Sequence, residues 1–189
     1  MLNKGLFLDR DGVINVDKGY VGNVADFEFM DGIFQLIKQF TKLGFIPIII
    51  TNQSGIGRGF YTEETFLKLC EWMNSRFAEH DIAPIPVYFC PHHPTDARGE
   101  YLADCQCRKP QPGLFFKAAK DYRVDLSQSI MIGDSLRDLE AAEAAGIPVR
   151  LWVTEIKQNQ IASSCTHSYN TLSEIDPMTI HPNGVGKNA

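Results

Sequence analysis

Asp9 and Asp11 stand one residue apart at the end of the apolar run Leu6-Phe7-Leu8, and Gly12 comes next. Alternate side chains of a strand point the same way, so both carboxylates face one site if the strand persists through them. Two carboxylates that close repel unless a cation or a shared proton relieves them. A glycine next in the chain permits a sharp backbone departure that opens the site. A strand ending in a polar turn would show the same fragment, because Asp is also a turn former. The residues at the ends of the other apolar runs decide between the two readings. Thr51-Asn52-Gln53-Ser54-Gly55 succeeds the run Phe45 to Ile50. Gly133-Asp134-Ser135, with Asp138 beyond, succeeds Ser129 to Ile132, and Arg108-Lys109-Pro110 closes a long loop after Pro86 to Phe89.

Acids, a hydroxyl, a cation and further acids after successive strands suit phosphoryl transfer. Asp9, Asp11 and Asp134 supply the hard oxygen donors that Mg²⁺ prefers. Asp9 can attack phosphorus to give an aspartyl-phosphate. Asp11 can protonate the leaving alkoxide and later activate water. Thr51 and Lys109 can hold the equatorial oxygens as charge redistributes.

A second constellation lies in the long loop. Cys90-x-His92 is followed by Cys105-x-Cys107. Thiolate and imidazole are the ligands of choice for Zn²⁺, and four of them close a structural site with no open catalytic position. His93 competes with His92 for the fourth place. Such a staple would position Arg108 and Lys109, which directly follow Cys107. Cys70 and Cys165 read as ordinary thiols.

The elements that must position these groups alternate strand and helix. Strands are expected at Gly5 to Leu8, Phe45 to Ile50, Pro86 to Phe89, Ser129 to Ile132 and Pro148 to Trp152. Helical spacing covers Asp31 to Leu43, Thr62 to about His80, Pro112 to Tyr122 and Leu136 to Ala145. Thr62 is an N-cap candidate and Gly44 and Gly146 are stops. Pro47 weakens the first half of the second strand. The alternation predicts a doubly wound, mostly parallel α/β sheet with flanking helices, and ligands then bind at the carboxyl ends of the strands. Two irregular segments, Val13 to Phe29 and Cys90 to Gln111, are too short for an inserted cap domain, so the site is expected to be open. One domain over residues 1–175 and a mobile tail over 176–189 are expected.

Composition bounds the function classes. The chain has 189 residues, 44% hydrophobic and 22% charged, with a net charge of −5. That balance argues against a nucleic-acid backbone as main partner. No apolar run has the length of a membrane span, and no secretory signal is seen, so a cytoplasmic location is expected. Five cysteines without an export signal do not form a disulfide framework.

Asp9-x-Asp11-Gly12, Thr51-Asn52, Lys109 and Gly133-Asp134-x-x-x-Asp138 resemble, in this order, the four motifs of the haloacid dehalogenase superfamily of phosphohydrolases. The resemblance implies a Rossmann-like fold, Asp9 as nucleophile and Asp11 as general acid/base. It implies phosphoryl stabilisation by Thr51 and Lys109, with Asp138 as a supporting acid. It implies Mg²⁺ on Asp9, the Asp11 backbone carbonyl and Asp134. The loop Cys90-Pro-His-His-Pro94, with Phe7 to Tyr20, Thr51 to Gly59 and Cys107 to Pro110, resembles the zinc-binding branch. That branch contains the D-glycero-D-manno-heptose 1,7-bisphosphate 7-phosphatases, the better match, and the histidinol-phosphate phosphatases. The resemblance implies zinc on Cys90, His92, Cys105 and Cys107. It implies substrate contacts from Asp17, Lys18, Gly19, Tyr20, Asn52, Gln53, Ser54 and Arg108. The position after Asp134 is often Lys or Asp in that branch and is Ser135 here. The implied reaction frees the C7 phosphate of a sugar bisphosphate for nucleotide-activated heptose and lipopolysaccharide synthesis. Apart from the resemblance, a monomer acting on a small molecule is expected. A zinc-stapled binding module without catalysis is the alternative of another class, and the intact Asp9, Asp11, Lys109 and Asp134 speak against it.

Overall fold

Hydrophobic periodicity explains the layers. In the computed structural model, which describes residues 2–154 and 163–180, six strands form one sheet in which every paired neighbour is parallel. They are β1 (Asn3–Leu8), β2 (Phe45–Asn52), β3 (Val87–Cys90), β4 (Val124–Gly133), β5 (Val149–Val153) and β6 (His167–Tyr169), in the order β3-β2-β1-β4-β5-β6. Alternation splits the central strands between two cores. Leu6, Leu8, Ile49, Ile130 and Ile132 enter one apolar cluster, whereas Phe7, Ile48, Ile50 and Met131 enter the other. Strands buried on both faces read as continuous apolar runs for this reason.

Helices cover both faces: α1 (Ile33–Lys42), α2 (Ser54–Arg58), α3 (Glu63–Glu79), α4 (Gly113–Tyr122) and α5 (Leu136–Ala144). Leu36, Ile37 and Phe40 of α1 and Leu69, Met73 and Phe77 of α3 pack with Leu6 and Leu8. Leu114, Phe115 and Ala118 of α4 and Ala141 and Ala142 of α5 pack with Phe7. Thr62 caps α3 by accepting the Thr65 N–H.

Several expectations are corrected. Pro47 does not weaken β2, because the ladder to β3 begins only at Ile49 and β1 alone flanks the strand at that point. β4 begins at Val124 rather than Ser129, and its register with β1 shifts between Lys4 and Leu6. Ser129 Oγ fills the irregularity, accepting the Gly5 N–H and donating to the Asp125 carbonyl. The short elements α2 and β6 were not expected from the pattern. The packed body also runs past residue 175. Pro177–Thr179 form a 3-10 turn and Ile180 is buried in the first core, so the first part of the expected tail is packed. Residues 181–189 lie outside the described residues.

The order reverses at β1, which pairs with β2 on one side and β4 on the other. Ligands in such sheets bind outside the carboxyl ends of the strands at this switch point. Asp9 directly follows β1 and Asp134 directly follows β4.

Candidate active site

The chain leaves β1 at Leu8, so strand alternation does not carry Asp11 into the site as expected. A tight turn does so instead: Ile14 and Asn15 N–H groups donate to the Arg10 carbonyl, and Gly12 N–H to the Asn15 carbonyl. Gly12 has φ +83°, and a Cβ there would meet Asp134 Oδ2 at 2.2 Å. Only glycine lets the two acidic turns approach this closely.

Asp9 and Asp11 then line a cavity of about 410 Å³, together with Thr51, Asn52, Gln53, Ser54, Arg108, Lys109, Asp134 and Ser135. Asp17, Gly19 and Tyr20 line it as well. Lys18 is the exception among the expected contacts. It pairs with Glu28 at 2.8 Å, half-exposed, and does not line the cavity.

Lys109 is the hub. Its Nζ donates to Asp9 Oδ1 (2.8 Å), Asp138 Oδ1 (2.6 Å) and the Ile50 carbonyl (2.8 Å), and the side chain is 2% exposed. Burial alone would lower its pKa, but Asp138 and Asp9 outweigh burial and hold the ammonium above its ordinary value. Asp138 is likewise kept ionised: burial opposes the charge, and Lys109 and Ser135 more than offset it. The remaining acids are under-compensated. Burial, then the Asp138 charge, raises Asp9 to about 7. Burial, then the charges of Asp9 and Asp138, raises Asp134 to about 8.

Carboxylate oxygens of Asp9, Asp134 and Asp138 all lie within 4.8 Å of one another. Three acids against one lysine, all hard oxygen donors, fit a divalent cation such as Mg²⁺. Asp138 spends Oδ1 on Lys109 and Oδ2 on the Ser135 N–H and hydroxyl, so Asp9 and Asp134 keep the freer donors. Asp9 Oδ1 accepts the Arg10 N–H at 2.7 Å as well as Lys109, while no hydrogen bond among the described residues falls on Oδ2.

Asp11 is held by three donors. Arg10 Nη2 reaches both carboxylate oxygens, Asn15 Nδ2 reaches Oδ1, and Gln53 Nε2 reaches Oδ2 at 3.0 Å. Gln53 also donates to Thr51 Oγ1, and Tyr61 donates to Gln53 Oε1 at 2.6 Å. Burial, foremost, raises Tyr61 to about 12, so it remains a donor.

Cys90, His92, Cys105 and Cys107 gather their ligand atoms within 4.8 Å of one another. Sulfur pairs lie 3.1 to 3.5 Å apart, and His92 Nδ1 lies 3.6 and 3.4 Å from the Cys90 and Cys107 sulfurs. All the cysteines are free. A tetrahedral zinc with bonds of about 2.3 Å spaces its sulfurs by roughly 3.7 Å, so the donor set fits this metal. His93 is excluded from the cluster. Its Nδ1 accepts the Asp96 N–H, and the residue lines the cavity instead.

Sequence reasoning missed Arg58, Tyr61 and Arg137 as lining residues. Arg58 ends the five-residue α2, whose two glycines hide its helical character. Gly57 is required there, since a Cβ would meet the Pro91 carbonyl of the zinc loop at 2.6 Å. Arg137 was legible only as a charged residue of a helix.

The parallel sheet and its acid-bearing strand ends are those of haloacid dehalogenase phosphohydrolases. Residues 106–174 match the family model described as HAD-hyrolase-like. The chain is 43% identical over 152 residues to the D-glycero-beta-D-manno-heptose-1,7-bisphosphate 7-phosphatase of Haemophilus influenzae, covering 80% of this chain and 82% of that protein. It is 40% identical over 183 residues to the corresponding alpha enzyme of Burkholderia mallei, covering 96% of both. A crystal structure of D,D-heptose 1.7-bisphosphate phosphatase from B. bronchiseptica complexed with magnesium and phosphate superposes with a TM-score of 0.77 at 31% identity. It covers 90% of this chain and 94% of that one. The chain belongs to the D-glycero-D-manno-heptose 1,7-bisphosphate 7-phosphatase family of the haloacid dehalogenase superfamily. It is a phosphoric monoester hydrolase. No helix among the described residues is long and apolar enough to cross a membrane.

Proposed function

We propose that this chain hydrolyses the C7 phosphate of D-glycero-D-manno-heptose 1,7-bisphosphate through an aspartyl-phosphate on Asp9. The observation that carries the reading is the division of labour on Asp9. Oδ1 is anchored by Lys109 and the Arg10 N–H, and Oδ2 remains to attack. Asp9 and Asp134, with the Asp11 carbonyl, would hold Mg²⁺, which when bound neutralises the phosphate and lets a carboxylate approach it.

In the first half-reaction, Asp9 Oδ2 forms a bond to phosphorus as the bond to the sugar oxygen breaks. A primary alkoxide leaves poorly, so the Asp11 carboxyl gives it a proton. In the second, water attacks phosphorus, Asp11 takes the proton back, and the bond to Asp9 breaks to release phosphate. Gln53, fixed by Tyr61, orients Asp11 and Thr51 together. Lys109, itself buried, offsets charge beside the nucleophile.

Arg58, Arg108 and Arg137 in the cavity wall favour a bisphosphate over the cationic amino alcohol of histidinol phosphate. The names of the relatives support the heptose bisphosphate as substrate, and the product of that reaction would feed nucleotide-activated heptose for lipopolysaccharide. The test is phosphate release with Mg²⁺ from α- and β-heptose 1,7-bisphosphate, histidinol phosphate and fructose 1,6-bisphosphate, compared by kcat/KM. Preference for one heptose anomer supports the reading and assigns the anomer. Preference for histidinol phosphate overturns it.

A further inference from the structure

Ser135 follows Asp134 at a position that the family resemblance assigns to substrate, yet its side chain is already committed. Its hydroxyl donates to Asp138 Oδ2 at 2.8 Å, its N–H donates to the same oxygen, and the pair forms the capping box of α5. Breaking that box for a substrate contact would free the acid that holds Lys109.

Two residues further on stands Arg137, in the first turn of α5. A cation there opposes the helix dipole, which favours acids at this end. No hydrogen bond or ion pair among the described residues repays that cost, and the residue lines the cavity. A local rule broken without local compensation is a mark of function. Of the other two arginines of the wall, one is paired with an acid and the other is tied at a single nitrogen. Arg58 pairs with Asp96, and Arg108 Nη1 donates to the His92 carbonyl at 3.1 Å. Arg137 alone among these three presents an uncommitted guanidinium, whose planar fork matches two phosphate oxygens.

We propose that Arg137, rather than Ser135, binds the phosphate remote from the phosphorus under attack, sharing it with Arg108. The assignment rests on the bisphosphate reading above and deepens it. Arg137 is exposed, so its substitution leaves the packed core intact.

The experiment compares kcat/KM for heptose 1,7-bisphosphate with that for heptose 7-phosphate, which lacks the remote phosphate. It uses the full chain, Arg137→Ala and Arg137→Lys. The bisphosphate-to-monophosphate ratio should fall about 10- to 100-fold in Arg137→Ala, chiefly through KM, and recover in part in Arg137→Lys. Competitive inhibition by heptose 1-phosphate should weaken in parallel. If the unmodified chain prefers the bisphosphate and Arg137→Ala keeps that ratio, the Arg137 assignment falls and the bisphosphate reading stands. An equal loss on both substrates also overturns the assignment, since it reports general attraction of anions. If the unmodified chain shows no preference for the bisphosphate, the bisphosphate reading itself fails and the assignment fails with it.

Discussion

Asn52 clamps the Lys109 backbone from both ends of its amide. Asn52 Nδ2 donates to the Lys109 carbonyl and Oδ1 accepts the Lys109 N–H, each at 3.0 Å. Asn52, which lines the cavity, therefore also positions the lysine that holds the nucleophile. Both bonds are partly buried, and leaving such groups unpaired costs about 1–3 kcal/mol each. Asn52→Ala should lower kcat by about 10- to 100-fold and lower Tm by several degrees. Steady-state kinetics with thermal denaturation checks this. A change in KM alone would indicate that Asn52 serves substrate binding instead.

Asp9→Asn keeps the size of the side chain and removes the nucleophile. Turnover should fall by at least about 10³-fold, while circular dichroism and zinc content stay unchanged. Rapid acid quench of the unmodified enzyme with labelled substrate should trap phosphate on the protein, and Asp9→Asn should trap none. Residual turnover near the normal rate would exclude a covalent route through Asp9.

Much of this site could be read from the chain because each acid follows an apolar run. Asp9, Thr51 and Asp134 stand at the boundary between buried strand and polar turn, where composition changes abruptly. The zinc donors were legible from residue type, and the family resemblance named His92, with His93 as a competitor that the fold sets apart from the cluster. The Asn52 clamp was not legible, since its partner lies 57 residues away and an amide in a turn has many uses. Nor was β6, a three-residue strand whose His167, Ser168 and Tyr169 carry no apolar alternation. The early start of β4 was hidden because its irregular stretch is polar, and Ser129 satisfies its backbone there. Arg58 and Arg137 depend on where short helical turns begin, which charge patterning alone does not specify.

The raised acids make metal binding and stability depend on pH. Asp9 stands at about 7 and Asp134 at about 8, above the ordinary aspartate value of 3.8. Between those limits the folded chain holds more protons than the unfolded chain, so stability falls as pH rises. The stabilising contribution is complete below about pH 4 and is lost through the folded values. Protein dialysed free of magnesium should therefore show a Tm that drops from pH 6 to pH 8.5, with a shallower drop in Asp134→Asn. Metal must displace these protons, so the Tm increase on adding Mg²⁺ should grow over the same range. Differential scanning fluorimetry in matched buffers measures both. A Mg²⁺ response independent of pH would refute the link between these two acids and the cation.

Zinc loss should reach catalysis through the chain itself. Cys107 is followed at once by Arg108 and Lys109, and Arg108 is tied back to the carbonyl of His92. Releasing the cluster therefore frees the segment that delivers the Lys109 ammonium to Asp9 and Asp138. The unmodified chain should contain about one zinc by elemental analysis, and Cys107→Ser should lose most of it. Structural zinc sites contribute several kcal/mol or more to folding, so Tm should fall by roughly 10 °C or more. kcat should fall with it, even under saturating Mg²⁺ and at a temperature where the variant is folded. Re-addition of zinc to chelator-treated unmodified protein should restore both Tm and kcat. Full activity in zinc-free, folded protein would show that Asn52 and the Asp138 ion pair hold Lys109 unaided, and the staple would then serve stability alone.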